Sequence, residues 1–240
     1  MRLNKLIAGY SGYARRKVDE LIAQGRVEVN GKLAQLGQDV DESIDTILID
    51  KKPLTTKKMP PIYILLNKPK NVLSSVSDDR GRTTVIDLIN FPERIFPVGR
   101  LDYDTTGLIL LTNDGNLALK MTHPRFHISK TYELTLKNQI LAEHVHQLET
   151  GIVIDGKKTA PAQASVLSSS VVQLTLFEGR KHQVKRMCLA IGLKLVALKR
   201  VAIGPISIGN LQEGQYRPLT NSELNQLKET ILKEQSKRIE

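Results

Sequence analysis

The sequence predicts an α+β protein, on three observations. Apolar residues recur at helical spacing in some segments and alternate with polar ones in others. Short wholly apolar runs end at turn signals, as buried strands do. A lysine- and proline-rich segment, residues 51–61, has the composition of a linker, because proline lacks an amide donor and the four lysines have no apolar stripe to lean on. The expected organisation of the 240 residues is therefore a small domain over 1–50, a linker over 51–61 and a larger domain over 62–240.

In the first unit, Leu3, Leu6 and Ile7 share a helical face that Gly9 to Gly12 interrupts. Ala14, Val18, Leu21 and Ile22 stripe a second helix that starts near Ser11 and closes at Gly25. Val27 and Val29 alternate with charge, Asn30-Gly31 is a hairpin turn, and Ile47 with Ile49 makes a further strand. In the body, Ile62 to Leu66 is a buried strand ended by Asn67-Lys68-Pro69. Leu108 to Leu111 is another, closed by Asn113-Asp114-Gly115 and followed by a short helix before Pro124. Tyr132, Leu134 and Leu136 fall on one face of a strand, and Val171 to Phe177 lies beside or near it. Val184, Met187, Cys188 and Ile191 stripe a helix that Gly192 ends. Thr220 to Glu223 matches a capping box and opens a last helix carrying Leu224, Leu227, Ile231 and Leu232, with the final eight or so residues frayed.

Lysine and arginine number 35 against 25 acids, a net charge of +10, and the pI is near 9.6. Such a balance suits a polyanionic partner. The excess is uneven: residues 1–32 carry seven basic and three acidic side chains, whereas 33–50 carry five acids and no base. Arg15, Arg16 and Lys17 fall in the first turns of one helix, and Arg180, Lys181, Lys185 and Arg186 in the early turns of another. Cations there oppose the helix dipole, so the two clusters together point to phosphate binding, with a solvated charged face as the plainer account of either alone. Aromatic residues are only 4%, too few for a surface built on base stacking.

Several chemistries lack their motifs. No phosphate-binding glycine loop or dinucleotide fingerprint occurs, and Gly9-Tyr10-Ser11-Gly12 has its second glycine one position early for a nucleophile elbow. His144 and His146 point apart on a helix, and the single cysteine, Cys188, belongs to an apolar stripe. No cofactor and no metal are expected. No run approaches the length of a membrane span, and Met1-Arg2-Leu3-Asn4-Lys5 has no signal-peptide core, so a soluble, cytoplasmic protein is expected.

One segment stands apart. Val98-Gly99-Arg100-Leu101-Asp102-Tyr103-Asp104-Thr105-Thr106-Gly107 puts two carboxylates and an arginine in a turn-rich stretch that runs into a wholly apolar strand. A loop anchored on a buried strand can hold side chains rigidly for chemistry, and it can equally be an Asx-turn with an ion pair. Its wording resembles the signature of bacterial rRNA pseudouridine synthases, closest to the RsuA/RluB-like group. Asp104-Thr105-Thr106-Gly107-Leu108 and Thr112-Asn113-Asp114-Gly115 continue the likeness. So do Leu66-Asn67-Lys68-Pro69, Lys130-Thr131-Tyr132, Glu178 through Met187 and Gly214 through Thr220, in family order. Residues 2–31 resemble the small RNA-binding domain named after the fourth small-subunit ribosomal protein.

The resemblance implies a catalytic domain with a mixed, mainly antiparallel sheet flanked by helices and crossed by an RNA cleft. It also implies an isomerisation in which the uracil–ribose bond breaks, the base turns and carbon-5 joins the sugar. Asp102 matches the family's catalytic carboxylate, a nucleophile or, in another view, the base that deprotonates the ribose. Tyr132 matches the aromatic that packs on the target uracil, and the strand pattern equally allows a core tyrosine. Lys185 matches the cation that pairs with the aspartate; from the helical wheel alone it is a snorkelling lysine. Arg100 takes the place of the flipped base or forms a structural ion pair, and Asp104 with Thr105 supports the loop. Arg15, Arg16, Lys17, Arg180, Lys181 and Arg186 are the expected RNA contacts.

The expected partner is ribosomal RNA, in a ribosomal assembly intermediate, bound by a monomer without membrane or nucleotide cofactor. The competing reading is a non-catalytic RNA-binding or ribosome-assembly protein, against which the set Asp102, Tyr132 and Lys185 argues. A DNA-binding regulator is more distant, since no dimerisation segment accompanies the first two helices. Residues 73–82 lean toward enzymes of the large-subunit rRNA, and the wording around His182 and Tyr216 toward the small-subunit enzyme. The large subunit is the preferred reading.

Overall fold

The computed structural model describes residues 1–54 and 59–236. The chain forms two compact units, Met1–Pro61 with Phe91–Arg94, and Ile62–Asn90 with Ile95–Glu240. Helices and mixed sheets make the α+β class expected from the sequence.

The first unit holds α1 (Leu3–Ser11), α2 (Arg15–Ala23), β1 (Val27–Val29), β2 (Lys32–Leu33), β3 (Ile47–Ile49) and β4 (Lys52–Pro53). Leu3, Leu6, Ile7, Val18, Leu21 and Ile22 bury the facing sides of the two helices against Val27, Val29 and Ile47. The helix boundaries differ from expectation. α1 runs through Gly9 to Ser11 and stops only at Gly12, whose left-handed φ of 69° glycine tolerates best. α2 begins at Arg15 rather than near Ser11, and ends as expected, with Arg26 N donating to Leu21 O at 3.0 Å and Gly25 left-handed. Asn30 and Gly31 both have positive φ, the geometry of a two-residue hairpin between β1 and β2. The start of the expected linker is instead a strand: Lys52 and Pro53 pair with Ile49 and Leu48 at the sheet edge, where proline's missing donor costs nothing. The linker residues Thr55 to Lys58 lie outside the described residues.

The second unit contains β5 (Tyr63–Lys68), β6 (Phe96–Pro97), β7 (Thr106–Thr112), α3 (Gly115–Thr122), β8 (Lys130–Leu136) and α4 (Ala142–Thr150). Then come β9 (Val153–Ile154), β10 (Lys157–Lys158), β11 (Gln163–Ser168), β12 (Val171–Leu176), α5 (Gln183–Ala190), β13 (Leu195–Ile203), β14 (Ile206–Ser207), β15 (Tyr216–Pro218) and α6 (Asn221–Ser236). Its main sheet runs β11-β12-β8-β13-β7-β5-β15, with β14 beside β13 and β6 beside β7. Among its strands in the described residues, only β7 and β13 pair in parallel; the other neighbouring strands are antiparallel.

Alternation along the central strands separates two cores. Ile64, Leu66, Ile109 and Leu111 face one side with Val85, Ile95 and Leu101, while Leu65, Leu108 and Leu110 face the other with Met121, Ile203, Leu227 and Ile231. All seven residues of β7 are buried, so the loop before it is anchored on the most enclosed strand of this unit. At Gly107, φ is 108° and an added Cβ would meet Arg200 O at 2.3 Å, so the close parallel approach of β7 and β13 requires glycine. Arg200 itself is buried and donates from Nε to Leu108 O at 2.7 Å.

Other boundaries moved as well. β5 extends through Asn67 and Lys68, both buried, because Asn67 N reaches Gln215 O and the Lys68 ammonium finds carbonyls. The capping box at Thr220 is present, with Glu223 N donating to Thr220 Oγ1 and Thr220 N to Glu223 Oε2. Of the apolar residues read on the last helix, Leu232 is 58% exposed, one position past the buried Ile231. The expected frayed end is helical through Ser236, and residues 237–240 lie outside the described residues. No helix among the described residues is long and apolar enough to cross a membrane.

Candidate active site

The site grows from the turn before β7. Gly99 turns the chain with φ 74°, and Thr105 N donates to Asp102 O at 3.1 Å, folding residues 102–105 into a tight turn. That turn sends the Asp102 and Asp104 side chains toward the first turn of α5. Lys185 Nζ lies 3.1 Å from Asp102 Oδ2 and 2.5 Å from Asp104 Oδ1. From the N-cap position of the same helix, His182 Nε2 comes within 3.4 Å of Asp102 Oδ1. Asp102 thus has one cationic partner and one histidine, placed one helical turn apart on α5.

Burial pulls the Lys185 pKa down, but hydrogen bonds and charge from Asp104 and Asp102 outweigh it, and the net shift is upward. Lys185 is therefore a cation throughout the neutral range. The same contact holds Asp104 below the usual carboxylate range, so Asp104 is an ion-pair partner as well as a turn residue. It is the more exposed of the two acids, with its side chain 67% exposed against 31% for Asp102. Asp102 faces an open cleft lined also by Arg100, Tyr132, Leu176 and Leu198.

Tyr132 is half-buried on β8 and packs against two hydrophobic clusters while lining the cleft, so the core and cleft readings describe one side chain. Arg100 lines the cleft as well. The expected basic cluster of α5 is dispersed. Arg180 and Lys181 precede the helix, which begins at Gln183. Arg180 donates to Lys157 O and Lys158 O at 3.2 and 2.7 Å and pairs with Glu178 at 3.4 Å. Arg186 pairs with Asp155 and donates to Lys181 O. The β9–β10 hairpin therefore engages both guanidinium groups, and Lys181 is the exposed member of the group. In the first unit, Arg15, Arg16 and Lys17 are exposed on the first turn of α2, with Lys17 bridged to Glu20 at 3.0 Å.

Two residues near the turn escaped the sequence reading. His182 sits in the same block as Lys185, three positions earlier, and that spacing was its signal. Lys68 is fully buried, donates to Pro69 O and Val72 O at 2.8 and 2.9 Å, and reaches Tyr103 O at 3.5 Å. Burial lowers its pKa to about 8. No local pattern marks a lysine whose partners are carbonyls. The histidines and cysteine have structural places: His144 Nδ1 accepts from Leu141 N at the start of α4, and burial pushes the Cys188 thiol up to about 12. No group of three or more metal-ligating side chains occurs among the described residues.

A carboxylate held by a cation, facing an open cleft beside an aromatic ring, can attack or deprotonate a sugar while a base stacks nearby. Comparison with known proteins shows the family. The RNA pseudouridylate synthase family model matches residues 62–190, and the S4 domain model matches residues 1–43. The ribosomal large subunit pseudouridine synthase B of Bacillus subtilis is 44% identical over 235 residues, covering 95% of both chains. The ribosomal small subunit pseudouridine synthase A of Haemophilus influenzae is 38% identical over 232 residues, covering 95% of this chain and 99% of that one. A crystal structure of a pseudouridylate synthase, 37% identical, superposes with a TM-score of 0.70 over 95% of this chain and 99% of the other. With the matched domain spanning more than half of its length and relatives of this identity aligned nearly end to end, the chain belongs to the RNA pseudouridylate synthase family, in its RsuA/RluB-like branch with an N-terminal S4 domain.

Proposed function

We propose that this enzyme isomerises a specific uridine of ribosomal RNA to pseudouridine, with Asp102 as the catalytic carboxylate. The observation that carries the assignment is the grip of Lys185 on Asp102, 3.1 Å apart at the wall of a cleft that Tyr132 also lines. In the reaction the N1–C1′ bond breaks, the uracil turns, C5 bonds to C1′, and the C5 proton is exchanged for one on N1, so atoms balance without a co-reactant. Asp102 acts on the ribose, by attack at C1′ or by removing the C2′ proton. Tyr132 packs on the uracil, and Arg100 fills the space of the extracted nucleotide.

Large-subunit rRNA is the proposed substrate, on the wording of residues 73–82 and the name of the Bacillus relative; the Haemophilus relative keeps the small subunit as the second reading. The proposed setting is a monomer acting in the cytoplasm on a ribosomal assembly intermediate. Domain roles follow a proposed division into an RNA-docking domain over 1–50 and a catalytic domain from 62 onward. Mapping pseudouridines in rRNA from cells with and without this gene tests the proposal. Loss of one or a few large-subunit sites is the expected result. Loss confined to the small subunit would transfer the substrate, and an unchanged map would favour the non-catalytic binding protein.

Docking rests on Arg15, Arg16 and Lys17, with Lys181 and the two guanidinium groups at Arg180 and Arg186 as further contacts beside the cleft. Replacing Arg15, Arg16 and Lys17 together by alanine should weaken RNA binding and reduce the salt-dependence slope by about two to three, since each phosphate contact contributes about 0.7 to 0.9. Turnover at saturating RNA should persist. Binding titrations across salt concentrations check this, and an unchanged slope would remove the cluster from the interface.

A further inference from the structure

The turn that carries Asp102 is tied to the neighbouring 74–83 loop by one side chain. Ser74 Oγ donates to Leu101 O at 3.0 Å and accepts from Leu101 N at 3.1 Å, so a single hydroxyl satisfies both backbone groups of the residue before Asp102. Leu101 is buried, and its peptide orientation fixes where the Asp102 side chain points. Two further bonds reach the backbone of this turn, Asn71 N to Tyr103 O at 2.8 Å and Lys68 Nζ to Tyr103 O, while Lys185 and His182 hold its carboxylates.

The loop beyond Ser74 is itself organised. Leu73 N donates to Thr83 O and Val85 N to Leu73 O, closing its base. Inside, the Asp78 carboxylate accepts from Arg80 N, Arg82 N and the Arg82 guanidinium, and hydrogen bonds from Arg82 hold its pKa well below the usual range. This fold presents Arg80 and Arg82 on an exposed surface, suited to phosphates.

We propose that Ser74 is a positioning residue for Asp102, through which RNA seated on the 74–83 loop sets the catalytic carboxylate. This inference rests on the assignment of Asp102 made above. Ser74 touches no reacting atom; it acts through the Leu101 peptide. Phosphate contacts at Arg80 steady a loop already closed by its own hydrogen bonds, that loop holds the hydroxyl, and the hydroxyl holds the turn.

The test combines kinetics with amide hydrogen exchange on the full-length protein. Ser74→Ala should lower kcat for pseudouridine formation about tenfold, with KM for RNA within about twofold, because only the aim of the carboxylate changes. Ser74→Thr keeps the hydroxyl and should restore most of the rate. The Leu101 amide should exchange at least about tenfold faster in Ser74→Ala, reporting the lost hydrogen bond whether or not catalysis occurs. Arg80→Ala should raise KM and lower kcat in the wild-type background, and raise only KM in Ser74→Ala. A wild-type kcat in Ser74→Ala, a Ser74→Thr as slow as Ser74→Ala, or fully additive kcat losses would overturn the proposal. A wild-type enzyme that modifies no rRNA would instead overturn the functional assignment, and the Leu101 exchange rates would then decide whether Ser74 sets the turn.

Discussion

Asp102→Asn should reduce pseudouridine formation to background, a loss of about 10³-fold or more and so at least about 4 kcal/mol of barrier, while leaving RNA affinity within about twofold. The amide keeps the size of the side chain but lacks the charge and the nucleophilic oxygen. The variant should fold normally for a reason visible in the site: Lys185 still has Asp104 at 2.5 Å, so no cation is stranded by the change. The proposed RNA contacts are dispersed phosphate contacts, which the substitution does not touch. Asp104→Asn is the matched control. It removes the shorter of the two Lys185 contacts and leaves the ammonium to Asp102, so a loss within about tenfold is expected. The assay is selective chemical labelling of pseudouridine with primer extension on rRNA transcripts or immature particles. Near wild-type modification by Asp102→Asn would sink the catalytic assignment, and equal losses in both variants would show that the two acids act as one unit.

The features legible in the sequence were those fixed by neighbouring residues. The Asn30-Gly31 turn, the Thr220–Glu223 cap and the left-handed Gly25 each depend on a few adjacent side chains, and each formed where expected. Features made by distant partners were not legible. Lys52 and Pro53 read as linker because pairing with Leu48 and Ile49 leaves no periodic trace in two residues. No sequence pattern singled out Arg200, yet its Nε holds Leu108 O from 92 positions away and its backbone crowds Gly107.

The site divides along the same line. Family wording located Asp102, Tyr132 and Lys185 in the sequence, and folding brought them to one cleft. Composition suggested that Arg180, Lys181, Lys185 and Arg186 share one role, but the β9–β10 hairpin takes two of them and the aspartates take a third. The sharing of Lys185 by Asp104 was hidden because the two residues lie 81 positions apart in the chain and meet only once α5 packs beside the turn. Lys68 and Ser74 were hidden because their partners are backbone atoms, which sequence patterns do not label.

Lys185→Met should cut turnover about 10- to 100-fold, corresponding to the roughly 1.5–3 kcal/mol carried by a hydrogen bond to a charged group. Methionine keeps the length and apolar stem of lysine, so packing on the Val184 and Met187 side of α5 is retained and the lost property is the ammonium. Without it, Asp102 and Asp104, which now share one cation, are left as neighbouring like charges, and the repulsion turns the Asp102 carboxylate away from its aim. His182 remains within 3.4 Å of Asp102, which is why the expected loss is smaller than that of Asp102→Asn. Lys185→Arg supplies a planar cation with several donors, able to meet two carboxylates together, and should stay within about tenfold of wild type. The wild-type pair should also be insensitive to pH across the neutral range. The raised Lys185 pKa keeps the ammonium charged below it, and the contact is lost only as pH climbs through that raised value. Single-turnover rates, RNA affinities and thermal midpoints of the two variants decide the matter. Separated rates with matched midpoints and affinities support a role in aiming Asp102, whereas equal rate losses in Met and Arg, together with lowered midpoints, would make Lys185 a structural bridge between α5 and the turn before β7.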